Sequence, residues 1–136
     1  MFKLPITNDI SEMEQLEKFV DDMAEAFKLE DDFKFQLGLA LDEAVANVVM
    51  YAYPEQEGMP IHIEADGEQG KKLIIRIIDE GIEFNPLAEA PDVDTDATTE
   101  EREIGGLGIF LVKESMDTVQ YERENGKNIL TMTKNL

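Results

Sequence analysis

The sequence predicts an α+β fold: a two-layer sandwich whose mixed, mostly antiparallel sheet is covered by helices on one face. Its elements occur in the order strand, helix, helix, hairpin, long loop, helix, hairpin. Hairpins give antiparallel pairs, and helices grouped between them pack as one layer, whereas a doubly wound sheet needs alternating strands and helices. The 136 residues, 43% of them hydrophobic, fit a single domain over 1–136 with one buried core.

The first elements are an edge strand and an amphipathic helix. Residues 2–6 have strand character, and Pro5 indicates an edge position because proline has no amide N–H for a central ladder. Apolar residues at helical spacing then predict a helix that is capped by Asn8 or Ser11 and runs to about Phe27.

A second helix over about 32–53, ended by Pro54, precedes a hairpin. The residues predicted to form its buried stripe are Leu37, Leu41, Ala44, Val45, Val48 and Ala52. The hairpin joins residues 59–65 to 73–78 through turn-type residues 66–70. Because 73–78 is almost wholly apolar and β-branched, we expect a central strand there.

The last third combines a long loop with a closing hairpin. Residues 82–104 fit no regular element and carry six carboxylates from Glu83 to Glu100, and a loop of this length is typically functional or disordered. A short helix over 108–114 follows. Strands at 118–123 and 128–133 then close about Asn125-Gly126, a pair that favours a tight hairpin turn.

The net charge of −19, from 12 basic and 31 acidic residues, disfavours nucleic acid and anionic lipid as partners. The acidity is explained by solubility or, as the more specific alternative, by complementarity to a basic patch on a protein partner. No cysteine is present, which excludes disulfides and thiolate metal sites. Without a 20-residue apolar run or the apolar start of a secretory signal, a cytoplasmic location is predicted.

Glu43 and Asn47 lie four residues apart on the second helix, so their side chains project from one face. A carboxylate takes protons as a general base, and an amide oxygen is a hard ligand suited to Mg2+. The structural alternative is an exposed pair on a surface helix.

Two further segments suit a nucleotide. Asp79 ends the apolar strand, where a carboxylate can accept from an amino group such as that of adenine, and Gly81 allows a turn or close ligand approach. The glycines in Gly105-Gly106-Leu107-Gly108 precede a helix whose free N–H groups suit phosphates. The alternatives are an ordinary strand-ending turn and a flexible hinge with a helix cap. The pattern is neither a Walker loop nor a dinucleotide fingerprint.

Taken together, these segments resemble the GHKL (Bergerat-fold) ATPase superfamily and, within it, the anti-sigma factor serine/threonine-protein kinases. Residues 41–53 are similar to the N-box helix, including the trailing Ala-Tyr, and residues 78–82 to the Asp-Glu-Gly G1-box. The resemblance extends over about residues 5–134. It implies ATP and Mg2+ as cofactors.

The resemblance also assigns roles by position. Glu43 matches the general base, Asn47 the Mg2+ ligand, and Asp79, with Gly81 beside it, the aspartate that binds the adenine amino group. Residues of about 84–104 match the ATP lid. The G2-box residues near the phosphates are Gly106, Leu107 and Gly108.

The implied function is transfer of the γ-phosphoryl group to a serine of a STAS-domain anti-sigma antagonist, together with sequestration of a sigma factor by a homodimer. Four features depart from the family pattern: Glu83 replaces a frequent glycine, Tyr51 a histidine, Asn128 stands near a frequent threonine, and the acidic lid has Arg102 as its only basic residue. Glu83 and the acidic lid motivate one alternative, a non-catalytic or nucleotide-responsive binding module. A detached histidine-kinase catalytic domain acting in trans is another.

Overall fold

The computed structural model describes residues 2–86 and 112–136. Its strands and helices follow the predicted order, with a short 3₁₀ helix at Ile10–Glu14 before the first α-helix and a helical segment at 112–115. The remaining elements are β1 (Phe2–Thr7), α1 (Gln15–Phe27), α2 (Asp31–Tyr51), β2 (Pro60–Glu68), β3 (Lys72–Asp79), β4 (Thr118–Glu124) and β5 (Lys127–Asn135).

The five strands form one sheet in the order β1-β2-β3-β5-β4. Strand β1, with Pro5, lies at one edge, and β3 is central, as predicted. All four pairings in the described part of the chain are antiparallel, so that part contains no parallel pair of the kind that a mixed sheet implies. The α+β sandwich is otherwise confirmed.

The core lies between the sheet and helices α1 and α2. Side chains that alternate along β2, β3 and β5 are buried on the face that the helices cover, because successive residues of a strand point to opposite faces. All six residues of the predicted α2 stripe are buried. None of the helices within 2–86 and 112–136 combines the length and apolar character needed to cross a membrane.

The start of the first helix differs from the prediction. The capping residue is Asp9, whose carboxylate accepts the backbone N–H of Ser11 at 3.0 Å, rather than Asn8 or Ser11. Asn8 instead connects two chain segments, since its amide donates to Gln56 O at 2.7 Å and accepts from Met59 N at 2.9 Å. Its side chain therefore fixes the approach to β2.

The closing hairpin forms as predicted. Asn125 and Gly126 both have positive φ, 53° and 77°, which is the backbone of a type I′ turn between β4 and β5. This two-residue turn fixes the pairing of Arg123 with Asn128. The hairpin therefore determines which β4 side chains reach the end of β3.

Candidate functional site

A buried aspartate and a buried asparagine meet at the end of the central strand. Asp79, the last residue of β3, pairs in register with Asn128 of β5, and both side chains are almost fully buried, at 3% and 4% exposure. The Asn128 amide donates to Asp79 Oδ1 at 2.8 Å and to the carbonyl of Ile82 at 2.7 Å. It therefore fixes both the carboxylate and the chain that follows it.

The amide oxygen of Asn128 is also hydrogen-bonded. Its Oδ1 accepts from the Tyr121 hydroxyl at 2.6 Å, from Arg123 Nη1 at 3.1 Å and from the backbone N–H of Phe84 at 3.2 Å. Arg123 also donates to the carbonyl of Gly81 at 2.7 Å. We call Asp79, Tyr121, Arg123 and Asn128 the polar cluster.

Burial raises the pKa of Asp79 above its ordinary value of 3.8, because desolvation penalises the charged carboxylate. Hydrogen bonds from Asn128 and from the Gly81 N–H, and the positive charge of Arg123, oppose that shift. Within the described residues both hydrogen bonds reach Oδ1. Oδ2 is then the oxygen on which this carboxylate can accept a bond from a ligand.

Asn47 lies beside this pair, on the inner side of α2. Its side chain is 3% exposed, so the alternative of an exposed asparagine on a surface helix is wrong. Asn47, Asp79 and Asn128 line one cavity of about 20 Å³. Such a volume holds roughly one water molecule, whereas pockets for small ligands typically measure several hundred Å³.

Aromatic side chains narrow the same cavity. Phe84 lines it and stacks on Tyr51 of α2, with ring centroids 5.2 Å apart and planes at 28°. Pro86 and Tyr121 complete that side. The polar atoms present therefore suit an adenine base, while the enclosed space in this conformation does not accommodate one.

Gly81 is required by a close contact inside the chain. A Cβ at this position would lie 2.7 Å from the carbonyl carbon of Ala52 and closer still to its oxygen. The Ala52 carbonyl accepts the N–H of Ile82 at 2.9 Å, so the end of α2 packs directly on the segment after β3. Close approach explains this glycine, but the approaching group is the helix end.

Tyr53 reinforces the same junction. Its buried hydroxyl donates to the carbonyl of Pro60 and accepts the N–H of Glu80, both at 2.6 Å. One side chain thereby joins the chain after α2, the start of β2 and the residue after Asp79. The junction therefore holds Asp79 in place through the backbone that directly follows it.

Glu43 occupies a different surface. It is half-buried and one helical turn before Asn47, and it lines the groove between α1 and α2 rather than the small cavity. The structure thus brings Asn47 and Asp79 together and leaves Glu43 outside their cavity. Gly106, Leu107 and Gly108 lie outside the described residues, as does the predicted lid beyond residue 86.

A family model described as histidine kinase-like ATPase domain matches residues 6–134. The chain belongs to this family. The match contains Asn47 and all four residues of the polar cluster, so the cluster lies within the matched domain. The predicted relationship to the GHKL ATPases is confirmed.

Curated relatives carry kinase names. The chain is 28% identical over 100 residues to the serine/threonine-protein kinase BtrW of Bordetella bronchiseptica, covering 74% of this chain and 69% of that protein. It is 32% identical over 101 residues to the serine-protein kinase RsbW of Listeria innocua, covering 72% and 63%. The matched segment thus spans just under two thirds of RsbW.

Solved structures share the fold. A blue-light activated histidine kinase of Erythrobacter litoralis matches with a TM-score of 0.57 at 13% identity, covering 93% of this chain and 41% of that one. A chain of the SiaB–SiaC complex from Pseudomonas aeruginosa matches with a TM-score of 0.56 at 13% identity, covering 98% and 89%. At this identity the likeness describes the ATPase-domain architecture alone.

Three residues of the site were not identified from the sequence: Phe84, Tyr121 and Arg123. A signal for two of them was present, because a two-residue turn at Asn125-Gly126 places Arg123 opposite Asn128 and Tyr121 on the same face. The contact of Phe84 with Tyr51 joins a helix to a loop, and no local pattern predicts it.

Proposed function

We propose that the chain is an ATP-binding anti-sigma regulatory factor with serine protein kinase activity. It phosphorylates a STAS-domain antagonist and sequesters a sigma factor. The observation that carries the proposal is the buried Asp79, with one carboxylate oxygen held by Asn128 and with Asn47 on the same cavity. Family membership and the kinase names of the relatives support it.

The residues divide the work as follows. Asp79 would accept a hydrogen bond from the adenine amino group, Gly106, Leu107 and Gly108 would line the phosphates, and Asn47 would hold Mg2+ through its amide oxygen. Bound Mg2+ supplies neutralisation of the charge that develops on the phosphoryl oxygens. Glu43 takes the proton of the attacking serine hydroxyl. For Asp79 to reach the adenine ring, the Phe84 side chain has to move away from the cavity that it now lines.

Kinase activity is tested by incubating the chain with ATP, Mg2+ and a STAS-domain antagonist. We expect phosphoserine on the antagonist, stable to acid, and its loss in Glu43→Gln, which keeps the shape of the side chain and removes the base. Glu25→Gln, a change at an exposed carboxylate of α1, is the matched control. Unchanged transfer by Glu43→Gln would remove Glu43 from the role of base, and an acid-labile product would indicate a histidine kinase domain acting in trans.

Nucleotide binding is tested separately by calorimetry with ATP and Mg2+. Asp79→Asn should abolish binding, whereas Glu80→Gln, at the exposed neighbouring carboxylate, should preserve it. The small cavity favours one alternative, a binding module without catalysis. Absence of binding at millimolar ATP in the unmodified chain would select that alternative.

The oligomeric and cellular parts of the proposal have their own tests. We propose a homodimer that clamps one sigma factor in the cytoplasm, with a single domain over 1–136. Sedimentation of the isolated chain tests the dimer, and cell fractionation tests the location. Limited proteolysis that leaves one resistant fragment would support the single domain.

A further inference from the structure

An open groove runs along the outer side of the two helices. The 3₁₀ helix, α1 and α2 line it, and its volume is about 780 Å³, far larger than the cavity at Asp79. Its α2 wall carries one helical stripe from Asp31 to Ala46. At 1.5 Å per residue the stripe is about 22 Å long, or roughly four helical turns.

Apolar side chains in this groove are unusually exposed. Ile10 is 65% exposed, Phe35 69% and Leu39 41%. Gly38 lies between the last two, and a Cβ there would have no atom within 4 Å. A glycine inside a helix destabilises it relative to alanine, yet no packing within the described chain requires this one.

The rim of the groove is acidic. The described residues that line it include six carboxylates, which are Glu14, Glu17, Asp21, Asp31, Asp42 and Glu43. Lys34 also lines the groove, and its ammonium group is paired with the Asp21 carboxylate at 2.8 Å. Glu17 of α1 and Asp42 of α2 both line the groove. Burial, and secondly the negative charge of Glu17, raise the pKa of Asp42.

We infer that the α1–α2 groove binds a basic amphipathic helix of a protein partner. The exposed apolar residues supply the floor for its apolar face, and the carboxylates attract its cationic residues. Gly38 lets the partner backbone approach closely at the centre. A second copy of the chain fits poorly, because it would bring the same six carboxylates against this rim.

One consequence rests on the proposed function. Glu43, the proposed base, lines the groove toward the C-terminal half of α2, one turn before Asn47. A partner helix in the groove therefore lies beside the residue that takes the proton of a serine hydroxyl. The groove then serves as the surface on which a protein substrate docks.

The probe is a labelled 15-residue helical peptide. Leucine recurs at the spacing i, i+3, i+4 and i+7, so that the leucines lie on one face, and lysine occupies the other positions. Fluorescence anisotropy measures its binding to the full chain. We expect binding that weakens with salt, and no binding of a matched peptide with glutamate in place of lysine. Equal binding of both peptides would overturn the proposal.

Variants that keep every charge separate the groove from general attraction to an acidic protein. Phe35→Ser and Gly38→Leu should each weaken binding at least about tenfold, while Met50→Ser, at a 53% exposed apolar residue that does not line the groove, should not. Gly38→Ala should raise the Tm by about 2–4 °C. A uniform response of all three binding variants contradicts a docking groove.

Two measurements distinguish the groove from the proposed function. ATP binding by Phe35→Ser should equal that of the unmodified chain, so loss of the peptide with ATP binding retained concerns the groove alone. If the unmodified chain sediments as a dimer that Phe35→Ser dissociates, a second copy occupies the groove and the proposal is wrong.

Discussion

The polar cluster and the α1–α2 groove differ in how completely their side chains are hydrogen-bonded or packed within the chain. At the cluster, Asn128 alone takes part in five hydrogen bonds, and Gly81 packs against Ala52 with no space for a methyl group. In the groove, apolar side chains are exposed and Gly38 has open space above it. The cluster is built to hold one geometry, and the groove is built to be covered. Substitutions at the two should therefore have opposite effects on stability.

The largest loss is expected at the centre of the cluster. Asn128→Leu leaves the Asp79 carboxylate, the Ile82 carbonyl and the Tyr121 hydroxyl without their partner, which should lower the free energy of unfolding by about 3 kcal/mol. Urea unfolding with an unchanged m-value measures it. Asn128→Thr, which keeps one hydroxyl donor, should lose less. Equal losses for the two would show that the hydrogen bond from residue 128 to Asp79 does not contribute to the free energy of unfolding.

Two glycine substitutions compare the regions directly. Gly81→Ala forces a methyl group against the Ala52 carbonyl and should destabilise the chain by about 2 kcal/mol. Gly38→Ala meets no atom and should stabilise it by about 0.5–1 kcal/mol through helix propensity. Thermal unfolding of both variants gives the two signs, and a common sign would remove the contrast between the regions.

A smaller effect is expected at the junction beside the cluster. Tyr53→Phe removes the acceptor for the Glu80 N–H and the donor to the Pro60 carbonyl, at a cost of about 1–2 kcal/mol. Tyr51→Phe keeps the ring that stacks on Phe84 and should change stability by less than about 0.5 kcal/mol. Denaturant midpoints of the pair test whether the Tyr53 hydroxyl is structural.

The smallest effect depends on pH. Because burial raises the pKa of Asp79, its stabilising protonation is complete below the ordinary value of 3.8 and is lost as the pH rises through the folded-state pKa. Asp79→Asn, which cannot ionise, should therefore be more stable than the unmodified chain at pH 7, with the difference shrinking toward pH 4. Chemical denaturation at several pH values measures this. A difference that grows on acidification would contradict the raised pKa.

Most of the fold was predictable from the hydrophobic periodicity of the sequence. The boundaries of α2 and of all five strands lie within three residues of those expected, because apolar residues recur with periods of 3.6 and 2 along them. The cap of the first helix was missed because Asn8, Ser11 and Asp9 are all good capping residues. Only the tertiary bonds of Asn8 to Gln56 and Met59 decide between them.

The site was predictable where it is local. Asn47 and Asp79 were named as candidate site residues from their segments, and packing of α2 on β3 brings them to one cavity. The central role of Asn128 depends on the register between β3 and β5, which the sequence does not show. The groove was missed for a related reason. Helix α2 has apolar residues on two sides, and its pattern alone does not indicate that Phe35 and Leu39 remain exposed.

Pro5 has a consequence for assembly. Among the residues that the structure describes, strand β1 pairs with another strand on one side only, and such an edge can recruit a strand from another molecule. Pro5 stands in the middle of that strand opposite His62, and it has no N–H to offer an incoming strand. Continuous extension of the sheet from one molecule to the next is therefore interrupted at this edge. Self-association at the β1 edge then has to proceed through side chains, which disfavours fibril growth from that side of the sheet.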